Sequence, residues 1–133
     1  MKFVLCSEGF YTPNTVEACV SLVGKPQDQI SIGIINEAFA VKKGDKRWVI
    51  MNLNSVFNNF SAEIDIVDLL ALSIVEIEER LADKDVIFVV GGDTDYLMSI
   101  YQQADAHAVP RDLQGEAWRR RCAWLQVAQG AGR

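Results

Sequence analysis

The chain has 133 residues, half of them hydrophobic and 23% charged, with a formal net charge of −5. That is one domain's worth of chain with enough apolar content for a core, which excludes a disordered segment. The negative balance argues against a nucleic-acid partner, whose phosphates need a basic face. No apolar run approaches the ~20 residues of a membrane span, and Glu8 interrupts the first apolar stretch too early for a secretory signal. Cys6, Cys19 and Cys122 show no tight pairing. They suit a reducing cytoplasm and a role as small core thiols.

Lys2 to Cys6 is a short apolar run and predicts a first strand, left through Ser7, Glu8 and Gly9. Asn14 or Thr15 can cap a helix whose inner stripe is Val16, Cys19, Val20 and Val23. Gly24 ends it and Pro26 prevents its resumption. Ile30–Ile35 predicts a second strand, and Asn36–Gly44 a loop. Asp45 then caps a helix with Val49, Leu53, Val56, Phe57 and Phe60 on one side, and Asn52, Asn54, Asn58 and Asn59 largely on the other. Residues 63–67 predict a third strand. Ser73, with Glu76 three residues on, forms a capping box for a helix reaching about Ala82.

Val86–Val90 is an unbroken β-branched and aromatic run, the pattern of a strand buried on both faces. Gly91-Gly92 stops it, and Asp93 or Thr94 can cap a helix carrying Leu97, Ile100 and Tyr101 inward. Alternation of strand and helix with short connections predicts an α/β fold: a doubly wound parallel sheet in three α/β/α layers. In such sheets ligands bind beyond the carboxyl ends of the strands. That places Ser7, Glu8, Asn36, Glu37, Asp68 and Gly91 to Thr94 around one crevice. A helix starting directly after a buried strand leaves its first N–H groups without helical partners. The N–H groups of Gly92 and Asp93 are therefore expected to face the crevice, where a negative charge would be stabilised.

The tail differs. Residues 1–103 contain six lysines, two arginines and eleven isoleucines; residues 104–133 contain five arginines, seven alanines, and neither lysine nor isoleucine. So abrupt a shift marks a boundary, either of a domain or of a reading frame. Leu113, Ala117, Trp118, Cys122 and Leu125 could line one side of a helix beginning near Pro110.

Several segments together resemble the dipeptidase E and cyanophycinase family of serine peptidases. They are Phe3–Phe10, Leu22–Pro26, Gly44–Trp48, Asp65–Asp68 and, most specific, Val86–Thr94, where the family carries Gly-Gly-Asn-Thr. The resemblance covers about residues 1–103. It implies a class I glutamine amidotransferase-like fold, hydrolysis of peptide bonds next to aspartate and a small peptide substrate. No His or Cys pair has ligand spacing, so no metal is expected, and no cofactor either. The resemblance also implies that Gly91, Gly92 and Asp93 form the oxyanion loop, beside the crevice where the sheet topology puts Thr94, Ser7, Glu8, Asn36 and Glu37 as binding residues. The family's nucleophile, in Gly-x-Ser-Ala-Gly-Ser, follows the next strand.

Three departures stand out. Asp93 replaces the family's asparagine, Asn36-Glu37 replaces a proline–threonine pair, and the chain contains no Gly-x-Ser-x-Gly. Its one histidine, His107, lies in the tail. The triad of nucleophile, base and orienter is therefore incomplete, and the chain as it stands is expected to be inactive. Permitted codons for Leu125–Gly132, read two bases along, encode Ala-Gly-Ser-Ala-Gly-Ser-Arg, so the expectation is a partial domain, 1–133, with a family-like core and a frameshifted or truncated tail. Loss of the serine-bearing strand would open one sheet edge, through which a homodimer could form. The alternative is a non-catalytic α/β domain whose acids Glu8, Glu37, Asp68 and Asp93 bind a cation or small ligand.

Overall fold

The computed structural model describes residues 2–6, 9–105 and 123–127. Its elements run β1 (Lys2–Cys6), α1 (Pro13–Val23), β2 (Ile32–Ile35), α2 (Arg47–Asn59), β3 (Ile64–Ile66), α3 (Ile74–Ala82), β4 (Val86–Val89), α4 (Thr94–Asp105) and β5 (Ala123–Val127), with 3-10 turns at Gln27–Gln29 and Glu37–Phe39. The strands form one sheet in the order β1-β5-β4-β2-β3. Every pairing is parallel, as the alternating pattern predicts.

The topology decides where each helix lies. From β1 to β2 to β3 the chain moves toward one edge of the sheet, then returns through β4 to β5. Right-handed crossovers put the helices of the outward leg on one face and those of the return leg on the other. Accordingly Val16 and Cys19 of α1 and Val49 and Val56 of α2 pack with Ile32, Ile34, Val86 and Phe88. Ile77 and Leu81 of α3 and Leu97 and Ile100 of α4 pack with Ile35, Ile87 and Val89. Successive side chains of β2 and β4 thus enter opposite layers, which is why both strands read as unbroken apolar runs. Burial, reinforced by nearby Cys6, pushes the Cys19 thiol up to about 12, so it acts as a packing group.

Four local expectations change. The cap of α1 is Thr12, whose side chain accepts from Thr15 N–H, not Asn14 or Thr15. Pro13 sets a helical φ at the first position, so the cap must precede it. Asp45 lies one residue before the first residue flanking α2. Its Oδ1 still accepts from Arg47 N–H at 2.9 Å, while Arg47's guanidinium holds its carboxyl below the usual range. Strand β2 begins at Ile32, after a 3-10 turn, rather than at Ile30. On α2, Phe57 is half exposed whereas Asn52 and Ser55 are buried. The inner face of this helix also receives the loop after β1, whose main-chain groups need polar partners. The capping box of α3 forms as expected, with Glu76 also accepting from Ser73 N–H at 2.9 Å.

The tail is the larger correction. Leu125 lies in a strand, not on a helix: β5 pairs with β1 on one side and β4 on the other. A strand seated there satisfies backbone groups on both neighbours. The edge of β4 expected to lie open is therefore covered, and a dimer through it would require β5 to leave. Leu113, Ala117, Trp118, Cys122 and His107 lie outside the described residues, as do Ser7 and Glu8.

Candidate active-site loop

Adjacent strands β2 and β4 lead into helices on opposite faces of the sheet, α2 and α4. Such a switch point is where a doubly wound sheet opens a crevice at its carboxyl edge. Two loops meet across it: Asn36–Phe39 after β2, and Gly91–Asp93 after β4.

The first loop is held by a buried side chain. Glu37 is 6% exposed, and its Oε1 accepts from the N–H of Leu69 in the loop after β3. Burial pushes the Glu37 carboxyl up; main-chain N–H groups of Leu69, Glu37 itself and Asn36 oppose this without cancelling it, and the nearby Asp68 charge adds to it. Asp68 turns to its own loop, with Oδ1 accepting from Leu70 and Ala71 N–H, each at 2.9 Å. Asn36 is half-buried at the start of the 3-10 turn, which closes through Ala40 N–H to the Glu37 carbonyl at 2.9 Å.

The second loop lies against the first. Asp93 N–H donates to the Ala38 carbonyl at 2.7 Å. A Cβ built on Gly92 would stand 2.2 Å from that same carbonyl oxygen. Glycine is thus needed at 92 for close approach of two backbones, as the double glycine suggests. The Asp93 side chain folds back as the cap of α4, with Oδ1 accepting from Tyr96 N–H at 2.8 Å and its carbonyl accepting from Leu97 N–H at 3.0 Å. Thr94 is the exposed first residue of the helix.

The expectation that both N–H groups face the crevice fails for Asp93. That of Asp93 is bonded to Ala38, whereas that of Gly92 has no hydrogen-bond partner among the described residues. A main-chain donor beside the N-terminus of a twelve-residue helix is suited to hold an anion or developing oxyanion. The Asp93 carboxylate beside it is engaged through Oδ1 in the helix cap.

Sequence reasoning missed the polar stripe of α2. Ser55 Oγ accepts from Phe10 N–H at 3.1 Å and donates to the Asn52 carbonyl at 2.6 Å; Asn59 Nδ2 donates to the Phe10 carbonyl at 3.0 Å. Phe10 is thereby fixed against Phe60 and Phe88, with ring centroids 4.8 and 5.6 Å away. The spacing of Asn52, Ser55 and Asn59, i, i+3, i+7, was the available signal: three polar groups on one helical stripe. The carbonyl of Ala38 had no such signal, because its role comes from the backbone. Among the described residues no group of three His, Cys, Asp or Glu side chains could hold a metal ion. Nor is any helix among them long and apolar enough to cross a membrane.

A parallel α/β sheet with a double-glycine loop packed across its switch point is the framework of a peptidase E-like protein. Residues 38–116, more than half of the chain, match the model of peptidase family S51, and the chain belongs to that family. The match extends beyond Gln103 into the tail. Among solved structures the chain is similar to that of a candidate peptidase E from Listeria monocytogenes EGD-e, with a TM-score of 0.70 at 18% identity over 93% of this chain. The chain spans 57% of the length of that neighbour. No curated protein sequence matches it.

Proposed function

We propose that this chain carries the oxyanion-binding half of a serine-type peptidase site for small aspartyl peptides, and does not itself turn substrate over. The observation that supports the reading is the Gly91–Asp93 loop: a main-chain donor at Gly92 with no hydrogen-bond partner among the described residues, beside the start of α4, with Asp93 Oδ1 engaged as the cap. Membership of family S51 supplies the reaction class. The missing elements are a serine on a strand-to-helix elbow and a positioned base. The cation-site alternative finds less support, because Glu37, Asp68 and Asp93 each direct a carboxylate oxygen to a backbone N–H. Cys6 and Cys19 form no disulfide among the described residues, which fits a reducing, cytoplasmic setting.

The test is hydrolysis of an Asp-containing dipeptide by the pure 133-residue protein, beside a version whose downstream reading frame is restored. The expected result is no turnover by the first, and turnover by the second that a serine-directed inhibitor blocks. Turnover by the unmodified chain that no such inhibitor touches would overturn the reading. So would a frame-restored protein that folds and stays inert.

A further inference from the structure

Glu37 is the one carboxylate among the buried polar residues described, and it is incompletely bonded. Oε1 accepts from Leu69 N–H, whereas Oε2 is fully buried and has no hydrogen-bond partner among the described residues, although the N–H groups of Glu37 itself and Asn36 lie near enough to favour the charged form. An uncompensated buried charge costs far more than an uncompensated buried hydroxyl. The next residue, Ala38, holds the Gly91–Asp93 loop through the 2.7 Å bond to Asp93 and the close approach to Gly92. One 3-10 turn therefore joins the loops after β2, β3 and β4, and the turn begins at the strained carboxyl.

We propose that Glu37 is a positioning residue whose protonation state sets how firmly the Gly91–Asp93 loop is held: a neutral carboxyl seats the turn, and an ionised one loosens it. Of the ionisable groups on the elements packed against the turn, Asp68 acts on Glu37 and repels its charge. On α4, Asp93 is engaged as the helix cap, Asp95 is exposed and Tyr96 is half-buried; none is a cation. Lys46 Nζ bonds the Ala40 carbonyl beyond the other end of the turn, at 3.1 Å. The sign follows from burial. With its folded value raised, Glu37 keeps its proton at a pH where the unfolded chain has lost it. Its contribution to stability therefore falls as pH rises from the ordinary glutamate value through the raised one, then levels off. The inference concerns the loop whatever it binds, so it does not depend on the peptidase reading.

Amide resonances of the intact 133-residue protein, followed from pH 4 to 8, test it without any activity assay. Leu69, Gly92 and Asp93 should shift together with one midpoint above the ordinary glutamate range. In Glu37→Gln, which keeps an oxygen for Leu69 N–H but cannot ionise, that shared titration should vanish. In Asp68→Asn it should persist with a lower midpoint. Gly92 and Asp93 signals that ignore the Leu69 titration, or that still titrate in Glu37→Gln, would overturn the proposal. Should Glu37→Gln fail to fold, an unmoved midpoint in Asp68→Asn overturns it and a lowered one supports it.

Discussion

The two ends of the sheet are built on opposite terms. At the amino end, charges are paired and main-chain groups clipped. Asp85 accepts from Ser31 N–H and Oγ, both at 3.0 Å, and from Lys25 Nζ at 2.6 Å. Lys84, 3% exposed, reaches Glu63 at 2.6 Å and Asp83 at 2.9 Å. Burial alone would lower the Lys84 pKa, but the two carboxylates outweigh it and raise it. At the carboxyl end, capacity is left open: Glu37 Oε2, Gly92 N–H and, under the loop after β1, Asn52 Oδ1 lack partners among the described residues. One end holds the strands together, and the other leaves polar groups unpaired among the described residues, two of them buried, at a cost in stability.

The comparison breaks most directly at Asp85. Asp85→Ala strands the Ser31 N–H, although the hydroxyl keeps the Asp83 carbonyl, and should lower stability by about 2 kcal/mol at neutral pH, read by urea unfolding. Burial raises the Asp85 pKa, but the bonds from Lys25 and Ser31 outweigh it and hold it below the usual carboxylate value. Its contribution is therefore present above the ordinary aspartate value and lost as pH falls through the folded one. Glu37 has the opposite slope. In Asp85→Ala the acid-side loss attributable to Asp85 should disappear, while the Glu37-dependent change at higher pH stays. If both change together, the two ends are not independent.

Gly92→Ala strikes the other end. The new Cβ would lie 2.2 Å from the Ala38 carbonyl, which is backbone and cannot swing aside. A shift of the loop costing about 1–3 kcal/mol is expected. Hydrogen exchange should speed up at Asp93, whose N–H loses its acceptor, and stay unchanged at Ser31 and Val86. Equal loss of protection at both ends would defeat the division drawn here.

How much of this was legible beforehand follows from the range of each interaction. Val86–Val90 and the Ser73–Glu76 box could be read because their signals are local: an unbroken β-branched run, and two residues three apart. The Glu37–Leu69 bond could not, because its partners are 32 residues apart and meet only once β2 and β3 pair. Polarity puts Asn52 outward and gives no reason to single out Ser55, although a helix face can be buried against a loop that needs hydrogen bonds. Leu125 had helical spacing with Leu113 and Trp118, yet the gap between β1 and β4 accepts a strand chiefly on backbone terms.

The smallest effect expected is at Asp93, and its smallness is informative. Asp93 caps α4 through Oδ1, and asparagine offers an equivalent oxygen at that position. Asp93→Asn should therefore change stability by only a few tenths of a kcal/mol, whereas Asp93→Ala should cost about 1 kcal/mol, both read by urea unfolding. The N–H bond to Ala38 is main-chain and survives either change. If asparagine instead destabilises as much as alanine, the negative charge itself is acting on the helix dipole. In a frame-restored protein the same pair extends the argument to the chemistry. Unchanged turnover in Asp93→Asn would mean that the cap keeps the carboxylate out of the oxyanion's reach. A large gain would mean that its charge has been opposing the Gly92 donor. A collapse would mean that the carboxylate takes part in the reaction, and the division between a capping side chain and a working backbone would not hold.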